Sequence, residues 1–402
     1  HAFGGSAGPG TIYIDADGLT GGNGDLWINN NGSNGRQAGI PYDALNPVQQ
    51  FNKIYMKEYG SLRVLGLDST LQIANELGIE GDTTKPILSP EGLISLPATF
   101  TVDQITLDVI GNISGADNLT IGIGDIAKTA TVNLYAYTAK RFADKGDGTH
   151  DQYDFTSINI TNGGSMILYS MDGSSGTENS ANRQDYGVTI NADSMNIDNS
   201  ASINLNGLGY RSYRIGSTFV DVPGQTHDSE SGGTYGGYGQ ANNAQPYGDI
   251  FQPVDLGSPG NFRNPFGYDA PGGSGGGAVK LDIANTFTIN GVITANGTVG
   301  TRDSYLNAYR GGSGGSIWIE AGIIAGSGNI TANGYNTNID GSGGRIAIYS
   351  GEVPQAIYDN LEATGGSAGA GTIFVLDAAQ DPLHGSIIFD NGGVSGGYSD
   401  DL

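Results

Sequence analysis

The chain has 402 residues, of which 69 are glycine and none is cysteine, and only 14% are charged against about 25% in an ordinary globular domain. Its formal net charge of −24 argues against nucleic acid as a partner and against a polybasic membrane contact. Without cysteine there is no disulfide or thiolate metal site, and no apolar run reaches the ~18 residues that mark a membrane-spanning helix.

Glycine at this density disfavours helix, because it costs roughly 1 kcal/mol relative to alanine in a helix interior. The apolar residues come as short alternations of Ile, Val, Leu and Phe, which a disordered chain would lack. The chain opens inside a Gly-rich motif, Gly4-Gly5-Ser6-Ala7-Gly8-Pro9-Gly10, leading into Thr11-Ile12-Tyr13-Ile14. No secretion signal precedes it, as expected of a mature or excised fragment.

Strands with period-2 alternation are predicted next at Phe51–Met56, Ser61–Val64, Phe100–Val109, Val132–Tyr137, Ser157–Ile160, Met166–Tyr169, Val188–Ile190 and Ala201–Leu205. Asn-Gly, Asp-Gly and Gly-Gly signals separate them. A single helical turn is expected at Gln72–Leu77. The Pro-containing stretch Lys85–Pro97 is the one candidate joint in an otherwise continuous run.

The segment from Asp144 to Asp151 places three carboxylates, Asp144, Asp147 and Asp151, around a glycine turn, with Asp154 close behind. Calcium takes about six to eight oxygen ligands, and glycine lets backbone fold around the ion, so this is the candidate calcium site. Asp15-Ala16-Asp17-Gly18 and Asp228-Ser229-Glu230 are weaker candidates.

Gly209 to Gly272 breaks the pattern, being long, poor in strands and rich in Gly, Tyr, Pro and Asn. Its dense aromatics point to an ordered lateral loop packed on the sheets. Tyr235, Tyr238, Tyr247, Phe266 and Tyr268 are its candidate ligand-contacting residues, since exposed aromatics stack on sugar faces.

Three Gly-Ser-Gly-Gly runs, Gly273–Gly276, Gly312–Gly315 and Gly341–Gly344, each introduce an apolar strand. Between them Thr294-Ala295-Asn296-Gly297 is echoed by Thr331-Ala332-Asn333-Gly334. The largest repeat joins the two ends. Residues 362–402 restart residues 1–41 at an offset of 361, with 13 of 41 positions identical. Gly4–Ile14 matches Gly365–Val375, and Leu26–Asn30 matches Ile387–Asn391.

These patterns predict an all-β chain, a coiling β-solenoid with long Gly/Tyr-rich lateral loops, forming a single solenoid over residues 1–402. Inward Ile, Val and Leu form its core, and Asn or Thr at equivalent positions stack into hydrogen-bonded ladders. Residues 228–350 resemble a Gly-rich module of large secreted bacterial surface proteins. There a Gly-Tyr loop and a Gly-Gly-Ser-Gly-Gly-Gly run, here Gly272–Gly277, lead into strands ending in an Asn-Gly…Ile…Ala-Asn-Gly pattern. The resemblance implies a right-handed parallel β-helix with an adhesin-like or structural role, outside the cell.

Enzyme signatures are sparse. The four histidines, His1, His150, His227 and His384, form no His-Glu-x-x-His pattern, and no Gly-x-Ser-x-Gly elbow follows a strand. β-Helices often carry polysaccharide lyase or glycosidase activity, and 41 acidic residues leave carboxylate pairs available. Yet the Asn-Thr-Asp, Asp-Asp, Gly-His-Gly and Arg-Ile-Lys set of polygalacturonases is missing. Arg211, Arg214 and Arg263 read as loop anchors. Six Asn-x-Ser/Thr sequons, starting at Asn31, Asn112, Asn118, Asn159, Asn296 and Asn329, are at the level chance supplies in an Asn/Thr-rich chain.

The sequence therefore points to a non-enzymatic extracellular structural protein, a subunit or repeat of a surface fibre, sheath or stalk. Its expected partner is itself, head to tail or in tandem. A carbohydrate-binding adhesin module is the first alternative and a lyase or glycosidase the second.

Overall fold

In the computed structural model of the protein, the described residues are 10–14, 24–30, 36–79, 86–122, 130–136, 152–170, 187–212, 214–215, 218–219, 222–225, 231–262, 270–301, 309–336 and 338–395. They are nearly all β, with one short helix, Gln355–Tyr358, among them. The chain divides into two compact units, His1–Ile167 with Ala192–Ser202, and Leu168–Asn191 with Ile203–Leu402.

In the first unit successive strands alternate between sheets, and from Asp25–Asn29 onward neighbours within a sheet run parallel. Asp25–Asn29, Val48–Lys57, Thr70–Ile79, Leu93–Ser95 and Asn112–Ser114 make one sheet. Ala38–Ile40, Ser61–Val64, Ile87–Pro90, Thr106–Val109 and Thr131–Tyr135 make the second. Thr99–Val102, Asn118–Ile121 and Gln152–Ile160 belong to a third.

Register explains the core. Leu62, Leu88, Leu107 and Val132 are parallel neighbours, and all are fully buried. Phe100, Leu119 and Ile158 form a second inward column. Alternate positions face outward and pair as polar ladders, with Asn133 Nδ2 donating to Asp108 Oδ1 (3.2 Å) and Ser157 Oγ to Asn118 Oδ1 (2.8 Å). These columns remove aliphatic side chains from water at ~25 cal/mol per Å², and parallel pairing supplies partners for the backbone between neighbouring strands.

Two expectations are corrected here. Gln72–Leu77 is not a helical turn but part of the strand Thr70–Ile79. Its register against Val48–Lys57 slips by one residue between Ile73 and Glu76, so the inward residues Ile73 and Leu77 fall four apart and imitate a helical spacing. Phe100–Val109 is two strands on different sheets, separated at Asp103–Ile105, where Gln104 takes φ of 56°. Within the stretch Lys85–Pro97, Ile87–Pro90 and Leu93–Ser95 continue the strand stacking. Pro90 ends its strand.

In the second unit Ala278–Ile289, Ser316–Gly326, Arg345–Ser350 and Thr372–Asp377 stack in parallel. Val279, Ile317, Ile346 and Ile373 make one buried column, and Leu281, Ile319, Ile348 and Val375 make the next. Val292–Thr294, Asn329–Thr331 and Leu361–Glu362 form the companion sheet.

The Asn-Gly repeats end the strands of that companion sheet and build a ladder. Asn206 Oδ1 accepts the Asn296 N–H (2.7 Å), Asn296 Oδ1 accepts the Asn333 N–H (2.7 Å), and Asn333 Oδ1 accepts the Thr364 N–H (2.8 Å). The asparagine ladder expected from the repeat is present at these positions.

Candidate functional site

The lateral loop and the repeated hairpin are the two features that could carry function. Of the loop, residues 231–262 lie over the outer face of the strands beginning at Ser316 and Arg345. The Gly-Ser-Gly-Gly runs make this seat. The Gly233 N–H donates to Gly311 O, Gly236 N–H to Gly343 O, and Ser342 N–H to Gly233 O, each at 3.0 Å. A Cβ on Gly236 would overlap the carbonyl of Gly344, so only glycine lets the backbones approach this closely.

Two arginines lock the loop from beneath. Arg345 is fully buried; its Nε and Nη2 donate to Tyr247 O (3.0 and 2.8 Å) and its Nη1 to Thr372 Oγ1 (3.0 Å). Arg310, also buried, donates to Asn261 O (3.0 Å) and Ala270 O (3.1 Å). A planar fork pairing with main-chain carbonyls fixes the loop's path more rigidly than a single ammonium could.

Tyr235 is wholly buried. Its ring packs on Tyr247 at 4.7 Å, lies 5.4 Å from the Arg345 guanidinium carbon, and its hydroxyl meets Ser316 Oγ at 2.6 Å. Burial pushes its phenol far above the ordinary tyrosine range. Tyr247 is half-buried, and its hydroxyl donates to Leu256 O (2.6 Å). Tyr238 is half-buried and donates to Gln245 Oε1 (2.6 Å). These three tyrosines are therefore engaged in seating the loop. Phe251, which the sequence reading missed, is 46% exposed and packs edge-on against Phe374 at 4.9 Å. Phe266 and Tyr268 lie outside the described residues, as do Asp144, Asp147 and Asp151 of the candidate calcium turn. Among the described residues no cluster of three or more His, Asp or Glu side chains has metal-binding spacing.

The hairpin is the second feature. Gly10–Ile14 pairs antiparallel with Asp25–Asn29, with Ile12 opposite Trp27, Tyr13 opposite Leu26 and Ile14 opposite Asp25. Thr372–Asp377 pairs antiparallel with Ser386–Ile388, with Ile373 opposite Ile388, Phe374 opposite Ile387 and Val375 opposite Ser386. Subtracting the 361-residue offset turns the second set into the first. The sequence repeat is thus a repeat of register, and the other long pairings among the described residues are parallel.

No protein-family description, curated protein or solved structure matches the chain.

Proposed function

We propose that this chain is an extracellular structural protein, a repeat or subunit of a surface fibre, sheath or stalk that assembles head to tail on a right-handed parallel β-helix. The observation that carries this reading is the antiparallel pair that recurs in identical register, Gly10–Ile14 with Asp25–Asn29 and Thr372–Asp377 with Ser386–Ile388. A β-stack needs something at each end to cover its unpaired edge, and a repeated element at both ends suits a series of like units. The acidic surface and the resemblance of residues 228–350 to secreted surface modules support an extracellular setting, with calcium as a candidate structural ion at Asp144, Asp147 and Asp151.

Negative-stain electron microscopy of the native material, with and without a calcium chelator, tests the reading. Regular filaments or rods are expected, and their loss on chelation would place calcium in the assembly. Isolated short particles in both conditions would overturn the fibre reading and favour a glycan-binding module instead.

A further inference from the structure

The two hairpins are seated by opposite strands. In the first, Asp25–Asn29 pairs in parallel with Val48–Lys57, and Gly10–Ile14 is the edge. In the second, Thr372–Asp377 pairs in parallel with Arg345–Ser350, and Ser386–Ile388 is the edge.

They also bury opposite faces. Leu26 and Ile28 lie beside Ile54 and Met56 in the core of the first unit, and Ile28 is 1% exposed. Their equivalents are Ile387 and Phe389, and Phe389 is 41% exposed. In the second unit Ile373 and Val375 lie beside Ile346 and Ile348, each 1% exposed. Their equivalents are Ile12 and Ile14, and Ile14 is 50% exposed. What covers each bare face in one copy is visible in the other.

From this we infer that the hairpin is a two-faced joint shared by successive copies of the 361-residue unit. Its first strand closes the preceding copy and its second strand opens the next. This deepens the fibre reading and rests on it. The partner for the edge after Ser386–Ile388 is Val48–Lys57 of a second copy, with Ile54 beside Ile387 and Met56 beside Phe389. The partner for the edge before Gly10–Ile14 is Arg345–Ser350 of another copy, with Ile346 beside Ile12 and Ile348 beside Ile14. Strand direction reverses within the hairpin, and the buried face changes with it. The two reversals together preserve the sense of winding, so the same fold resumes beyond the joint.

A crosslinking experiment on the full chain tests this. Leu26→Asp with Ile28→Asp unseats the first hairpin and frees the edge of Val48–Lys57 for the second hairpin of another copy. Asn29 is the parallel partner of Lys57, and Asp390 is its equivalent, so Lys57→Cys and Asp390→Cys report the joint. These are the only thiols in the variant, because the chain has no cysteine. Oxidation is expected to give a ladder of linked dimers and larger species. The ladder is absent when Leu26 and Ile28 are retained, and adding Phe389→Asp removes it. Leu26→Ala with Ile28→Ala serves the same purpose should the aspartates unfold the unit, with β-sheet circular dichroism as the check. Larger species without the disulfide would overturn the joint and leave the fibre reading standing. Folded monomers alone would overturn the joint, and the fibre reading then rests on microscopy of the native material.

Discussion

Phe374 lies across Gly385 so closely that a Cβ on that glycine would overlap its ring, and Tyr13 holds the same position over Gly24. The Gly24 N–H also donates to the Tyr13 hydroxyl at 2.9 Å. An aromatic ring packed over a glycine on the neighbouring strand shields backbone that would otherwise face water, and it pins the register. Gly24→Ala should force the Tyr13 ring aside and destabilise the hairpin by about 1–3 kcal/mol, the usual cost of overpacking. Trp27 fluorescence during denaturant unfolding reads it, since Trp27 lies opposite Ile12. In a double-mutant cycle Tyr13→Ala should absorb the ring's share of that cost and leave the share from the Ile14 main-chain oxygen, which the added Cβ also overlaps, and additive losses would sink the idea.

The asparagine ladder gives a second prediction. Asn296→Ala removes the acceptor of the Asn333 N–H and should cost about 1–3 kcal/mol, the penalty for leaving a donor unmet. Asn296→Asp keeps an acceptor in place and should recover most of the loss. Hydrogen exchange at the Asn333 amide is the direct measure, with faster exchange expected in the alanine variant alone. Unchanged protection would show that the ladder contributes nothing.

Most of the β-architecture was legible because period-2 alternation survives wherever one face is buried, as at Val132–Leu134 and Ser157–Ile160. The failures have local causes. A one-residue slip at Ile73/Glu76 made a strand look helical, and Gln104 at positive φ hid a corner inside an apolar run. The hairpin repeat was visible as letters, but its meaning was not. Only the strand pairing shows that Ile14 and Val375 sit in identical register, Ile14 half exposed and Val375 buried. The tyrosines of the loop were conspicuous in sequence, while the arginines beneath them were not, because Arg345 comes from a strand about 100 residues away.

Arg345 should be hard to replace. Arg345→Met strips two charge-assisted hydrogen bonds from the Tyr247 carbonyl and one from Thr372, so a loss of at least ~3 kcal/mol is expected at about 1.5–3 for each such bond. Arg345→Lys should rescue little, because one ammonium cannot reproduce the fork. Proteolysis of the loop near Tyr247 should accelerate in both variants. A lysine variant as resistant as the parent would show that charge alone seats the loop.

Asp255 supplies the pH dependence. Burial pushes its carboxyl above the ordinary aspartate value and Asp249 adds to this, while Arg345 pulls it back down. A raised folded-state pKa means the folded chain holds this proton more tightly than the unfolded chain does. Stability from this group is therefore present at low pH and is lost as pH rises from the unfolded value of about 3.9 through the folded one. Asp255→Asn cannot ionise, so it should match the parent near pH 4 and become more stable than the parent as pH rises to 7. The contact Ser316 makes here is to the Asp255 main-chain carbonyl (2.6 Å), so the substitution leaves it intact. Combined with Arg345→Met, which removes the opposing charge, Asp255→Asn should gain more at pH 7 than it does alone. Midpoints of denaturant unfolding across pH 4–8 for the four chains decide it. An offset between parent and Asp255→Asn that stays constant over that range would refute the assignment.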